Sequence, residues 1–347
     1  MNCSGRIDLK NLSPSELESF IASFGKERYR SIQLLRWLYQ IGVHRFDEMT
    51  NLSKTFRQAL SHICFVSSLS PLHIEKSKDG TEKFLFQLED GNRIESVLIP
   101  EKKRITLCLS TQAGCAMGCR FCLTGKMGFK RNLTTAEILN QIIAVKKTLL
   151  DRTSITNIVL MGMGEPLANY ENTLKAIELM THPEAFKCSS RRVTLSTVGL
   201  LPELNQLTQE KIRFRLAVSL NASDEETRSR LMPINRHHPL KKVLELCRRY
   251  PLPPRARITF EYVLLKGEND SPEDAKRLLR LLKGVPSKIN LIPLNEAPGI
   301  PYKKPSEERV SQFQEILMEG GLTAIVRASK GADISAACGQ LQGKALN

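Results

Sequence analysis

The stretch RITLCLSTQAGCAMGCRFC, residues 104–122, decides the reading of the chain. Its first part is an apolar, β-prone run, and its second is a glycine-punctuated loop carrying three cysteines. Toward the C-terminus the same texture repeats, with strand-like runs NIVLMG, RVTLST, RLAVSL, ITFEYVL, INLIPL and TAIVRAS. Amphipathic helix-like runs lie between them at 134–150, 170–181, 200–209, 239–250, 271–283 and 306–319. Apolar strands alternating with amphipathic helices predict a parallel β/α architecture. Six or seven such units predict an α/β fold, either a complete barrel or a partial (β/α)6-type one, over residues 101–347, with functional residues at the carboxyl ends of its strands.

Toward the N-terminus the texture changes twice. Residues 69–100 hold Asp-Gly pairs at 79–80 and 90–91, which supply the positive φ angles of tight hairpins and predict antiparallel strands near 72–76, 83–88 and 93–99. This region is expected to link the barrel to a small helical domain over residues 1–68. In that domain Ser13, Pro14 and Glu16 form a helix start with a capping box. Ile32, Leu35, Leu38 and Tyr39 recur at helical spacing, and a third helix is predicted from Lys54 to about His62.

Composition narrows the class. The 347 residues are 41% hydrophobic and 25% charged, as in a globular protein. No run of about 18 apolar residues predicts a membrane span. The first residues, MNCSGRIDLKNLSPSEL, lack an apolar signal region, so a cytoplasmic protein is expected. The net charge of +15 suggests a polyanionic partner, most simply a nucleic acid. Nine cysteines in a reducing compartment point to metal ligands or catalytic groups rather than structural disulfides.

Cys115, Cys119 and Cys122 are spaced Cys-x3-Cys-x2-Cys directly after the first barrel strand. Three thiolates on one short loop can hold three irons of a [4Fe–4S] cube, leaving the fourth iron for an external amine and carboxylate. A structural zinc site would need a fourth ligand, usually from a second cysteine pair, and neither such a pair nor a nearby histidine is present. Phe121, between the last two cysteines, can shield a cluster from water. The next strand ends in GMGEPLAN (162–169), where glycines leave the backbone open to a ligand and Glu165 offers a carboxylate to an ammonium group.

These features, with CLSTQAGCAMGCRFCLTGKMGFKRNLT (108–134), GMGEP (162–166), RRVTLSTVG (191–199), NLIPLN (290–295) and GADISAACGQL (331–341), resemble the RlmN/Cfr family of radical S-adenosylmethionine (SAM) RNA adenine methyltransferases over nearly the whole chain. The resemblance implies a [4Fe–4S] cluster on Cys115, Cys119 and Cys122, and two SAM molecules per turnover. It implies that Cys338 carries the methyl group as S-methylcysteine, that Cys108 resolves the protein–RNA adduct through a transient disulfide with Cys338, and that Glu95 accepts the C2 proton. Gly164, Glu165, Ser196, Ser219, Leu220, Asn221 and Asn295 match cofactor-binding positions. Asn221 departs from the pattern, which carries His there; a backbone contact would survive that change, whereas one needing imidazole would not.

By the same resemblance the reaction is methylation of adenine C2 in 23S rRNA and in tRNA, by a monomer drawing electrons from a flavodoxin- or ferredoxin-type donor. A C8 methyltransferase of the same family shares the cysteines and the chemistry. A non-catalytic RNA-binding protein with a structural metal would explain the charge, but not GMGEP, Cys108 and Cys338 together. Candidate RNA contacts are Lys126, Lys130, Arg131, Arg191, Arg192, Arg327 and Lys330, with Lys26, Arg28, Arg30 and Arg36 in the helical domain. Cys3, Cys64, Cys188 and Cys247 are expected to be buried or incidental.

Overall fold

A computed structural model describes residues 5–149, 154–210 and 213–343; Cys3 lies outside them. Its centre is a ten-stranded sheet. Seven of the strands run parallel in chain order: Arg104–Cys108, Asn157–Leu160, Val193–Thr197, Arg215–Ser219, Ile258–Leu264, Ser287–Pro293 and Ala324–Val326. The apolar runs form these strands because both faces are covered; Ile258, Phe260, Tyr262 and Leu264 are all fully buried. Helices Thr135–Thr148, Tyr170–Thr181, Leu201–Leu207, Leu240–Arg249, Pro272–Leu282 and Glu307–Glu319 pack outside. Thr134 and Ser271 each open one of these helices with a reciprocal capping box.

The region expected to link two domains is part of this sheet. Strands Pro71–Lys76, Glu82–Gln87 and Arg93–Glu101 are antiparallel, and the last pairs with the first barrel strand through Leu98 opposite Leu107 and Val97 opposite Cys108. Gly80 and Gly91 turn the two hairpins at φ 85° and 83°. The barrel sheet is thereby extended, and residues of the Arg93–Glu101 strand come beside the carboxyl end of the first barrel strand.

Residues 7–66 contain helices Pro14–Ala22, Tyr29–Leu35 and Lys54–Ile63. The Ser13 box forms: Ser13 Oγ accepts the Glu16 amide at 3.2 Å, and Glu16 Oε2 accepts the Ser13 amide at 2.7 Å. The second helix runs on through wider π-type turns over Arg36–Ile41 and stops at Gly42, φ 81°. This part docks onto the barrel helix Thr135–Thr148. The buried Lys10 ammonium donates to Asn140 Oδ1 at 2.7 Å, and Asn11 Oδ1 accepts the Ala136 amide at 2.9 Å. Its Leu9, Leu17, Ile21 and Leu38 join the same hydrophobic core as the barrel. No helix among the described residues is long and apolar enough to cross a membrane.

Candidate active site

The three-cysteine loop is built by close backbone approach. After the strand Arg104–Cys108, the amides of Thr111 and Gln112 both donate to the Met163 carbonyl, at 2.9 and 3.1 Å. The Gln112 side chain accepts the Glu165 amide at 2.8 Å. This explains the glycines of GMGEP: a Cβ at Gly162 would lie 2.7 Å from the Leu109 carbonyl oxygen, and one at Gly164, φ 105°, would lie 2.6 Å from Gln112. They allow two strand ends to touch, a reason that the sequence pattern alone did not show. At Gly114, φ 76°, a Cβ would meet the Gly128 carbonyl at 1.9 Å, the same carbonyl that accepts the Cys115 amide at 3.0 Å.

At the carboxyl ends of the parallel strands lies a cavity of about 980 Å³ that opens to solvent. Cys115, Cys119 and Cys122 line one side. Gly164, Glu165, Ser196, Ser219, Asn221 and Asn295 line the rest, joined by Cys338 from the far end of the chain. Leu220 is fully buried and is not in the cavity wall; its carbonyl accepts a bond from Arg228 Nε at 3.1 Å. Asn221 sits at φ 55°, a left-handed conformation that asparagine tolerates. Its Oδ1 accepts the Val263 amide at 2.9 Å, so here the residue holds backbone, which gives a physical reason for asparagine at this position.

Among the described residues no three His, Cys, Asp or Glu side chains gather as ligands of one metal ion. Thiols arranged around a cube stand farther apart than thiols around one ion. The donor set, three thiols facing a wall with two carboxylates, two serines and two asparagines, fits a [4Fe–4S] cluster with SAM beside it.

Glu165 is buried, and its carboxylate is held by the amides of Val198 at 3.0 Å and Leu167 at 3.1 Å. Burial outweighs these bonds and pushes its carboxyl up to about 7. The neutral form is therefore favoured in the folded chain relative to the unfolded one. The stability it contributes is full below the ordinary carboxyl pKa and is lost as pH rises toward 7, on the order of 3 kcal/mol. Urea denaturation of the metal-free protein should show that decline between about pH 4.5 and 7, and Glu165→Gln should flatten it.

Cys338 is exposed to the cavity. Loss of water contact to the protein around it raises its thiol above the ordinary value, with the Glu261 carboxylate adding to the rise and Arg327 opposing it. Its segment is seated by backbone contacts: Gly339 O accepts the Leu123 amide at 2.7 Å, Leu341 O accepts Thr124 Oγ1 at 2.7 Å, and Cys338 O accepts Asn295 Nδ2 at 3.3 Å. Cys108 is buried behind the cavity wall. Its thiol is pushed far up by burial and next by negative charge at Cys338, so the two thiols sense each other. All the described cysteines are free. Cys64 and Cys247 are buried, and Cys188 is half-buried.

Glu95 does not line the cavity. It is 1% exposed, and its Oε2 accepts the amides of Gln342 at 2.8 Å and Gly343 at 3.0 Å, so it clasps the segment that carries Cys338. The register Val97–Cys108 puts Glu95 and Cys108 on one face of the sheet. Burial raises the Glu95 carboxyl, while the Gly343 amide and Lys83 hold it down. Lys83, equally buried, stands 3.5 Å from Glu95 and 3.3 Å from Glu75. Lys83→Met would leave the buried Glu95 carboxylate without its cation, and should cost about 3 kcal/mol and loosen the C-terminal segment. Denaturation midpoints and the rate of proteolysis after residue 330 check both effects.

Sequence reasoning missed Glu261, a buried carboxylate in the cavity wall that accepts from Asn290 Nδ2 at 2.9 Å; its signal was a charge inside the apolar run ITFEYVL. Several basic candidates already have acidic partners. Arg131 forks onto Glu137 with two bonds of 2.7 Å and also pairs with Asp90; Arg36 meets Glu184 at 2.6 Å, and Arg28 meets Glu18 at 3.0 Å. Lys126 donates to the Gly299 carbonyl.

Comparison with known proteins agrees with this geometry. Residues 109–281 match the family model of the radical SAM superfamily, and residues 7–66 match that of the ribosomal RNA large subunit methyltransferase N-terminal domain. The chain is 54% identical over 338 residues to the dual-specificity RNA methyltransferase RlmN of Geobacter sulfurreducens, covering 97% of this chain and 92% of that one. It is 52% identical over 339 residues to the RlmN of Geotalea uraniireducens, covering 98% and 97%. The crystal structure of a radical SAM methyltransferase from Sphaerobacter thermophilus superposes with a TM-score of 0.90 at 43% identity, covering 97% of this chain and 100% of that one. With identity at this level running from end to end and both family models in place, the chain belongs to the radical SAM superfamily and, within it, to the RlmN methyltransferase family.

Proposed function

We propose that this chain methylates C2 of adenine in 23S rRNA, and also in tRNA, consuming two SAM molecules per methyl group transferred. The observation that carries this reading is the meeting of Cys338 with Cys115, Cys119 and Cys122 in one cavity, although Cys338 lies at the other end of the chain. Its relatives from Geobacter sulfurreducens and Geotalea uraniireducens, dual-specificity RNA methyltransferases, support an RNA substrate. A basic chain of +15 suits one.

When bound on Cys115, Cys119 and Cys122, the cluster supplies the electron that splits SAM into methionine and an adenosyl radical. Glu165 and Asn295 orient SAM; an ammonium group beside Glu165 would hold its carboxylate ionised, so binding near pH 6 releases a proton. Cys338, after giving up its proton, carries the methyl group that is passed to the base. With the methyl carbon bonded to both Cys338 sulfur and adenine C2, the Cys108 thiolate attacks that sulfur: a Cys108–Cys338 disulfide forms, the sulfur–carbon bond breaks, and the released carbon takes up a proton as the product methyl group. Glu95 takes the C2 proton, burial having raised its carboxyl above the ordinary value and so made it a stronger base than an exposed carboxylate. Because Gln342 and Gly343 cap that carboxylate, residues 340–343 must shift before Glu95 meets substrate. The rRNA substrate places the enzyme in the cytoplasm, where a monomer would take electrons from a flavodoxin- or ferredoxin-type donor.

Mass spectrometry of nucleosides from 23S rRNA fragments incubated with reconstituted enzyme, SAM and reductant tests the regiochemistry. 2-Methyladenosine is expected. 8-Methyladenosine would transfer the chain to the C8 reaction of its family, and absence of either, with SAM still cleaved, would overturn the substrate.

A further inference from the structure

Arg228 has no place in the reaction as described, yet it is the largest fully buried side chain in the molecule as described. It lies on the short helix Glu225–Leu231. Its hydrogen-bond partners are all neutral: the carbonyls of Val198 at 2.7 Å, Ser219 at 3.2 Å, Leu220 at 3.1 Å and His238 at 3.2 Å, and Asn235 Oδ1 at 2.6 Å. These bonds satisfy the N–H groups, but none of them cancels the positive charge. A guanidinium taken out of water without a hydrogen-bonded anion costs several kcal/mol, so its presence here calls for a compensating anion.

Its surroundings point to the three-cysteine loop. Val198, Ser219 and Leu220 lie at or just past the carboxyl ends of strands Val193–Thr197 and Arg215–Ser219, whose Ser196 and Ser219 line the cavity. The last residue of the Arg228 helix, Leu231, accepts the amide of Arg120 at 2.9 Å, and Met232 after it lines the cavity. Arg120 directly follows Cys119, so the helix carrying Arg228 is fastened to the loop at its middle cysteine. Glu225 on the same helix reaches Arg228 through Asn235, whose Nδ2 donates to Glu225 Oε2 at 2.8 Å, and the Cys119 sulfur adds a second negative charge near Arg228 once a metal takes its proton.

We infer that Arg228 is a positioning residue that gives the cluster a fixed positive charge beside Cys119 while tying together the two strand ends that face SAM. The inference rests on the cluster assignment made above. Three thiolates make the cluster anionic, and reduction adds one more negative charge. A nearby cation attracts the reduced form more than the oxidised form, so it makes the reduction potential less negative. Lysine at this position would keep the charge and lose the forked bonds to two strands; glutamine would keep some bonds and lose the charge.

The test uses the full chain, reconstituted anaerobically as wild type, Arg228→Gln and Arg228→Lys. Iron and sulfide per chain are measured first, then the midpoint potential, by redox titration followed by electron paramagnetic resonance. Wild type without a cluster would defeat the underlying assignment and be seen before any variant is compared. With a cluster present, Arg228→Gln should load iron and shift the midpoint to a more negative value, while Arg228→Lys stays near wild type. An Arg228→Gln enzyme with a wild-type potential would overturn the inference. If Arg228→Gln takes up no iron, Arg228→Lys decides: iron and a potential near wild type support the charge, and failure to load iron, or an altered potential, would show that only the hydrogen-bond fork matters.

Discussion

Cys338→Ala is expected to abolish methyl transfer to RNA, by more than about a thousand-fold, while leaving iron content and the fold unchanged. The loss should be near complete because no other thiol replaces Cys338: the cysteines that share its cavity belong to the metal loop, and Cys108 lies outside the cavity wall. The fold should survive because the segment is seated through the carbonyls of Cys338, Gly339 and Leu341 and the amides of Gln342 and Gly343, none of which involves the thiol. Nucleoside analysis and iron determination on one preparation separate the two effects. Methylation surviving in the variant would remove Cys338 from the reaction.

Cys119→Ala should act at the other end of the same chemistry. Its thiol is pushed well up by burial, with Cys122 and Cys115 adding to the rise, so loading the metal-free site must displace its proton. Without Cys119 two thiols remain, too few to hold a cube with one open iron. Iron per chain should fall to a small fraction of wild type, and both SAM cleavage and RNA methylation should vanish with it. The melting temperature of the metal-free form should hardly move, because the loop is fixed by backbone bonds such as Cys115 to Gly128 and Arg120 to Leu231. Near-normal iron content in this variant would place the cluster elsewhere.

The parallel half of the fold was legible because its strands are buried on both faces and its helices are capped locally. RLAVSL and ITFEYVL announce themselves by composition, and in the N-terminal helical part Ser13 announces a helix by Glu16 three residues on. The hairpins were legible as hairpins through Asp79-Gly80 and Asp90-Gly91. That they extend the barrel sheet was not, because the pairing of Leu98 with Leu107 depends on register rather than on local pattern. Helix Glu225–Leu231 was hidden by its polar composition, EETRSRL, in which Arg228 looks like any solvated arginine. The clasp of Glu95 on Gln342 and Gly343 joins residues from opposite ends of the chain, and no spacing rule reaches across that distance. The cysteines were the most readable part of the site, since three close thiols have few uses in a reducing compartment; the roles of Cys108 and Cys338 came from family resemblance and not from spacing.

One measurement bears most directly on the whole account. Reconstituted enzyme is first incubated with SAM labelled in its methyl group and then freed of excess SAM. Peptide mapping locates the label, and unlabelled SAM, reductant and unmodified 23S rRNA fragment are then added. The account predicts label on Cys338 before RNA is added, and the same label in 2-methyladenosine afterwards. Label on a different residue, or RNA methylated only from the fresh unlabelled SAM while the label stays on the protein, would contradict it.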